Sequence, residues 1–306
     1  MGEIRLPASI KPLLTEGVSL RGRTTWRMGG NGRWLAEPVD QAELARIWTQ
    51  IPETVPLFLL GGGSNILVDD AGFDGVVINL SRHLNQISAI RDNGSLLLTV
   101  EAGTSTSCVA HYARRNGWGG AEFLGGIPGT IGGAMRMNAG AHGGEIAHLL
   151  VEARLMDKSG RQHCWPVEKL GLEYRRSALP SGWIFISGTL RLKTDDPENI
   201  RKKMRQNNQH RRQTQPLDHP SAGSTFKNPP QVAAWRLIDE AGLRGARIGE
   251  AQVSEKHSNF LVNRGQAKSR DMRILIETVK ERVMKTSGIS LQLEVGILGP
   301  QGFYNE

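Results

Sequence analysis

GGAEFLGGIPGTIGGAMRMNAGAHGG, residues 119–144, spends ten of its twenty-six positions on glycine. Backbone with so few Cβ atoms can adopt φ > 0 and lie directly against a ligand, and a row of its N–H groups can hold phosphate oxygens. Phe123, Leu124, Ile127, Ile131, Met135 and Met137 interleave apolar anchors that must pack, so the stretch is not a Gly/Ser linker. A second glycine knot, GGGSN at 61–65, follows the apolar run VPLFLL at 55–60. Two tight turns that each end a strand suggest one extended phosphate-bearing ligand held at two places. The competing reading is glycine for close packing between β layers, and Gly119–Gly120 need be no more than that.

The familiar nucleotide folds do not fit these loops. A dinucleotide fingerprint needs G-x-G-x-x-G opening a helix, whereas Gly61-x-Gly63 has Ile66 where the third glycine belongs. The residues that follow, ILVDDAGFDGVVINL, read as short strands around an Asp70–Gly72 turn. A phosphate-binding P-loop needs Gly-Lys-Ser/Thr, and the chain has no Gly-Lys pair.

At 306 residues the chain is long enough for two or three domains with real cores. Its 37 glycines are well above the norm of about 7%. Cys108 and Cys164 lie far apart with no C-x-x-C, which indicates neither a zinc site nor a disulfide framework. Cys108 is expected on the apolar face of a helix, as a core residue. MGEIRLPASIKPLL has no apolar export segment, and the longest apolar runs span about six residues, so the expectation is a cytoplasmic protein with no membrane partner.

The net charge of +8 owes much to RKKMRQNNQHRR at 201–212, with six Lys/Arg and no acid. Such a helix can be a solvated face, a collar drawing in a small polyanion, or a nucleic-acid patch. The absence of an aromatic residue for base stacking weighs against the last.

Asp40 with Glu43 predicts a capped helix with Leu44, Ile47 and Trp48 inward. Strands are expected at 55–60, 75–80, 96–101, 151–157 and 183–192, and a helix from about Ser105 carries Cys108, Val109, Tyr112 and Ala113. Asp196–Pro197 starts the basic helix. Beyond it come a turn region at 216–224, a helix near 231–241, a strand near 259–263, and a helix from Ser269 to Gly288 with Met272, Leu275, Ile276, Val279 and Val283 inward. The change of texture near 193–200 marks a boundary between an α+β nucleotide unit, itself bilobed, and a smaller α+β domain.

Three short constellations remain once metal and hydrolase signatures fail: no H-E-x-x-H, H-x-x-x-H or G-x-S-x-G is present. EYRRS at 173–177 puts an aromatic and two arginines at a strand-to-turn junction. SAGSTFKNP at 221–229 puts Ser224 after Gly223 in a tight turn, backed by Lys227 and Asn228. LQLEVGILG at 291–299 is an alternating strand with Glu294 inside it. Singly, Arg175 reads equally as a surface ion pair, Ser224 as a turn former and Glu294 as an exposed strand residue.

Taken together and in order, the motifs resemble the UDP-N-acetylenolpyruvoylglucosamine reductases. TTWRMGG (24–30), GGGSN (61–65), GIPGTIGGAMRMNAGA (126–141), YRRS (174–177), AGSTFKNP (222–229), AGLRGARIGEAQVSEKHSNFLVN (241–263) and LEVGILG (293–299) carry the resemblance nearly end to end. It implies an α+β architecture with a two-part FAD-binding domain of the vanillyl-alcohol-oxidase (PCMH) type, residues 1–82 and 83–192, and a separate smaller substrate domain with a C-terminal tail, residues 193–306. It implies FAD held without a covalent link, NADPH as co-substrate, and reduction of an enolpyruvyl ether of a UDP-sugar by a monomer with no nucleic-acid partner. Arg175 would hold the substrate carboxylate, Glu294 would assist there, and Ser224 would give a proton to carbon. FAD contacts would come from Gly61, Gly62, Gly63, Ser64, Asn65, Ile127, Pro128, Gly129, Thr130, Gly132, Gly133, Asn138, Ala139 and Gly140. Substrate contacts would come from Tyr174, Arg211, Gln215, Lys227, Asn228 and His257.

The chain departs from part of that family. One branch has an extra loop with a tyrosine that closes over the substrate diphosphate, but the tyrosines here are 112, 174 and 304, none between Arg175 and Ser224. Gly249–Glu250–Ala251 carries an acid where a second glycine is usual. Gly63–Ser64–Asn65 offers no histidine for covalent flavin attachment. A different FAD oxidoreductase of the same fold would keep both glycine tracts without these contexts for Arg175, Ser224 and Glu294. A basic nucleic-acid-binding protein would need neither tract and would purify colourless.

Overall fold

The computed structural model describes residues 6–304. The first lobe is a four-stranded sheet in the order Leu14–Ser19, Asn31–Ala36, Phe73–Asn79, Leu57–Leu60, with its last two pairings parallel. Helix α1, Gln41–Gln50, packs on it through Leu44, Ile47 and Trp48. Asp40 starts α1 by accepting from the Glu43 N–H at 2.7 Å, and the Glu43 carboxylate reaches back to the Val39 N–H at 2.8 Å. Such caps are worth about 1 kcal/mol.

The second lobe is an antiparallel sheet in the order Gln162–Pro166, Leu150–Met156, Ile184–Thr194, Ser95–Glu101, Ile87–Asp92. In Ser95–Glu101 the period-two pattern buries Leu96, Leu98 and Val100 against α2, Thr106–Arg115, and α3, Ile131–Arg136. Ser105 caps α2, and its buried face is Thr106, Val109, Ala110 and Ala113. Cys108 is therefore exposed, contrary to expectation: the cap sets the helix phase, and Cys108 sits one position off the inward stripe. Helix α4, Pro197–Thr214, starts at the Asp196–Pro197 pair and turns Ile200 and Met204 into the same core. Arg201, Lys202, Lys203, Arg205 and Arg212 on it are exposed.

Beyond α4 a second core forms. Strands Ser221–Ser224, Phe260–Asn263, Ala251–Val253 and Arg247–Ile248 make one sheet, covered by α5, Ala234–Glu240, and α6, Ser269–Ser287. The α6 stripe Met272, Leu275, Ile276, Val279 and Val283 is buried as its spacing requires, each such side chain contributing about 1.5–3 kcal/mol on leaving water. Two fixtures tie this core to the first lobe. Trp26, fully buried, donates its indole N–H to the Leu261 carbonyl at 2.8 Å. Asp70 accepts from the first two N–H groups of α6, Ser269 and Arg270, both at 2.9 Å.

The chain then returns. Gly296–Gly299 pairs in parallel with Ile66–Val68 of the first lobe and antiparallel with Gly302–Tyr304. The strand expected over 291–299 thus begins only at Gly296. Leu291, Leu293 and Val295 do alternate into the second core, but Glu294 precedes the strand, in a segment bridged to Phe226. Among the described residues no helix is long and apolar enough to cross a membrane.

Candidate active site

Strand Leu57–Leu60 ends at Gly61, and the chain turns sharply through Gly63, whose φ is +60°. Among the described residues, none of the five N–H groups from Gly61 to Asn65 is taken by a protein acceptor. A row of free main-chain donors in a turn is an anion nest. The second glycine tract packs straight onto this turn: a Cβ on Gly62 would lie 2.7 Å from the Gly129 Cα, and Ser64 Oγ donates to the Pro128 carbonyl at 3.0 Å. Close packing and ligand approach thus use the same glycines, one side of the loop meeting its partner loop and the other left open.

The start of α3 is not a second nest. Its Ile131 and Gly132 N–H groups go to the Thr104 and Ala102 carbonyls at 2.9 and 2.8 Å, and Thr130 Oγ1 accepts from Gly133. Together the two loops floor a cleft of about 1390 Å³. That exceeds the range of about 300–1,000 Å³ that drug-sized ligands occupy, and leaves room for a dinucleotide with a second nucleotide beside it. Every residue expected to contact the cofactor lines it except Asn138, which is buried and accepts from the Ala147 N–H at 3.0 Å. Asn138 braces the glycine tract from behind.

Arg175, Ser224 and Glu294, drawn from three distant stretches, line the same cleft. Arg175 sits at φ +57° in a turn closed by reciprocal Glu173–Arg176 hydrogen bonds of 3.0 and 3.1 Å. Its Nε donates to Glu294 Oε1 at 2.5 Å, and the Tyr174 ring lies 4.9 Å from its guanidinium carbon. Ser224 closes strand Ser221–Ser224, opposite Phe260, rather than occupying the turn expected for it. Glu294 is pinned through its backbone: its N–H donates to the Thr225 carbonyl at 2.9 Å, and Asn65 Nδ2 donates to its carbonyl at 3.0 Å. The first glycine loop, the serine strand and the glutamate segment are thereby one unit. Burial pushes the Glu294 carboxyl above the usual carboxylate range, outweighing the opposing pull of Arg175 and Lys227.

The residues expected around the substrate are less convergent. Arg211 and Gln215 line the cleft, bonded to each other at 3.0 Å. Lys227 does not line the cleft but stands near enough to act on Glu294. Tyr174 is 52% exposed and does not line the cleft. Asn228 accepts from the Ala234 N–H at 3.0 Å and starts α5. His257 packs edge-on against Phe260 with ring centroids 4.8 Å apart, and burial disfavours its protonated form. Among the wall residues that the sequence reading did not single out is Arg136, the one Lys or Arg of the glycine tract at 119–144. Among the described residues no three His, Cys, Asp or Glu side chains converge as a metal-binding set.

Comparison with known proteins finds relatives over nearly the whole chain. A family model described as the C-terminal domain of UDP-N-acetylenolpyruvoylglucosamine reductase matches residues 215–298, and a model of an FAD binding domain matches residues 33–164. The reductase of that name from Magnetococcus marinus is 51% identical over 294 residues, covering 96% of this chain and 94% of its own. The one from Paramagnetospirillum magneticum is 44% identical over 276 residues, covering 90% of this chain and 89% of its own. The crystal structure of UDP-N-acetylenolpyruvylglucosamine reductase from Thermus caldophilus superposes with a TM-score of 0.79 at 38% identity, covering 92% of this chain and 97% of that one.

Proposed function

The chain belongs to the UDP-N-acetylenolpyruvoylglucosamine reductase family, and from that premise we propose how its own residues perform the reaction. It is an FAD-dependent oxidoreductase that uses NADPH to reduce the enolpyruvyl ether of UDP-N-acetylglucosamine to the lactyl ether, giving UDP-N-acetylmuramate for peptidoglycan synthesis. Held by the loops at 61–65 and 127–140, FAD would supply the hydride chemistry that links NADPH to the terminal carbon of the enolpyruvyl double bond. The free N–H groups of 61–65 suit the cofactor diphosphate, and the absence of histidine from that loop suits non-covalent binding.

Hydride addition pushes negative charge onto the substrate carboxylate. Arg175 spends its Nε on Glu294, which leaves two Nη groups to grip that carboxylate as the charge grows. Glu294, held toward its neutral form, shares a proton there without repelling the charge. The Ser224 hydroxyl then gives its proton to the carbon beside the carboxylate, so that one hydride and one proton complete the reduction. A serine is a weak acid, and a strongly basic carbanion held in place compensates. The observation that carries this reading is the meeting of Arg175, Ser224 and Glu294 on the cleft that the glycine loops floor.

We assign the FAD domain to residues 1–82 and 83–192 and the substrate domain to 193–306. Within that partition α4 leans back on the second lobe, and 296–304 return to the first. The working unit is read as a cytoplasmic monomer. Both nucleotides must reach one flavin edge through one cleft, so they exclude each other, and NADP⁺ leaves before substrate enters.

Anaerobic titration tests the reading. The yellow protein should bleach with one equivalent of NADPH and recover its colour with one equivalent of enolpyruvyl nucleotide, forming UDP-N-acetylmuramate. Initial-rate lines at several fixed NADPH concentrations should run parallel at low substrate. A colourless preparation, or a reduced flavin that the nucleotide leaves bleached, would reject the function. Intersecting lines would reject the shared cleft alone.

A further inference from the structure

We infer that Arg136 is a phosphate-binding residue of this cleft, gripping a phosphate group of one of the two nucleotides that react there. The assignment rests on the reductase reading above. It begins from the charges on the wall: Arg136, Lys158, Arg175, Arg211 and His219 against Glu53 and Glu294. Lys158 is occupied, its Nζ donating to the Trp48 and Ile51 carbonyls at 3.1 and 3.3 Å over the Trp48 ring, where it finishes α1. Arg175 is paired with Glu294 and Arg211 with Gln215. Arg136 has only long contacts, from Nη1 to the Ser177 carbonyl and hydroxyl at 3.4 and 3.5 Å. Among the described residues no carboxylate lies within ion-pair distance of it.

Its neighbour is another cation. Burial, with a smaller contribution from the nearby Arg176 charge, holds the Arg136 pKa below the usual guanidinium range. Arg176 has the Glu173 carboxylate at 3.9 Å, whereas Arg136 has no acid of its own, and an anion seated against Arg136 offsets the repulsion between the two guanidinium groups. Arg136 is also held in place: Ser177 Oγ donates to its carbonyl at 3.0 Å. This fixes its Cα relative to Arg175, two residues before Ser177, on the side of the cleft where substrate reacts. The remaining anions are few. The cofactor diphosphate has the N–H nest of 61–65, and the enolpyruvyl carboxylate has Arg175. What is left is the diphosphate of the UDP-sugar or the phosphates of NADPH, and a planar guanidinium fork suits either bidentately.

The experiment uses the full flavoprotein as wild type, Arg136→Met and Arg136→Lys, with UDP, NADP⁺ and NAD⁺ titrated against the flavin absorbance. In Arg136→Met, FAD content and melting temperature should hold, while the Kd of one probe rises about tenfold to a hundredfold. Its salt dependence should flatten, a change that a merely structural role would not produce. Arg136→Lys should restore part of the affinity. A loss confined to UDP places Arg136 on the substrate diphosphate. A loss for NADP⁺ but not NAD⁺ places it on the 2′-phosphate, and an equal loss for both places it on the NADPH diphosphate. Wild-type Kd values within twofold for every probe in both variants would overturn the assignment while leaving the reductase reading intact. So would release of FAD from both variants, which would move Arg136 into the cofactor cradle. A wild-type protein that neither oxidises NADPH nor binds UDP would remove the functional reading and this inference with it.

Discussion

In the glycine cradle the donors are main-chain N–H groups from one short stretch, 61–65, propped by a second stretch that touches it backbone to backbone. In the corner formed by Arg175, Ser224 and Glu294 the working groups are side chains, and Arg175 and Glu294 are 119 residues apart. The cradle needs absence: the missing Cβ atoms of Gly61, Gly62 and Gly129 let one loop lie on the other. The corner needs presence, with Thr225, Asn65 and Phe226 holding the Glu294 segment against the serine strand. Main-chain donors cannot be tuned by substitution and serve a cofactor that stays. Side chains can be moved, buried and paired until their acidity suits a reaction.

If the corner carries chemistry and the cradle only binding, damage to each should separate cleanly in stopped flow. Ser224→Ala should slow reoxidation of reduced flavin by the enolpyruvyl nucleotide about 10²–10⁴-fold while NADPH reduces the flavin at nearly the wild-type rate. Equal slowing of both halves would make Ser224 part of the scaffold. Arg175→Lys should fall short by about 10²–10³-fold in the same half-reaction, because an ammonium keeps the charge without the fork or the Nε bond to Glu294. Near-normal turnover would mean that charge alone suffices.

The cradle should fail in another manner. Gly62→Ala drives a methyl into the Gly129 Cα and should cost about 1–3 kcal/mol of stability with loss of FAD on gel filtration. Gly133→Ala, whose added Cβ meets nothing closer than Thr130 Oγ1 at 3.7 Å, should melt normally, and any effect should appear in FAD affinity alone. The same melting temperature for both would show that the loops do not depend on each other.

Glu294 offers a finer cut. Because burial raises its pKa, the neutral carboxyl persists above the usual carboxylate range and is lost as pH rises through the raised value. Reoxidation should therefore fall along an alkaline limb that Glu294→Gln abolishes, with flavin reduction by NADPH insensitive to the change. A limb that survives in the Gln variant belongs to another group. The smallest effect is expected at the seam between the two cores: Asp70→Ala uncaps α6 and should cost about 1 kcal/mol in urea unfolding, with FAD content unchanged. A larger loss accompanied by released FAD would mean that the seam also holds the cradle.

The parts legible in the sequence are those whose cause is local. The Asp40 and Asp196 caps, the α6 stripe and the turns that end strands at glycine follow from neighbours a few residues away. Cys108 was misplaced because helix spacing alone allows two adjacent stripes on α2, and the Ser105 cap with the sheet beneath chooses between them. Arg136 went unnoticed because a single arginine has no pattern; only its place against Ser177 on the cleft wall, with no carboxylate within ion-pair distance among the described residues, sets it apart.

By itself the sequence determined where backbone must run bare, which segments are helices, and, through ordered motifs, which family the chain resembles. These are properties of contiguous residues, set by sterics and periodicity. Tertiary structure alone decided that the Glu294 segment lies against Ser224 and below Asn65, that its carboxyl stays above its ordinary pKa, and that the last strand returns to Ile66–Val68. Each of these depends on burial and on pairings across more than fifty residues, and dielectric and distance are quantities that a linear order of residues does not contain.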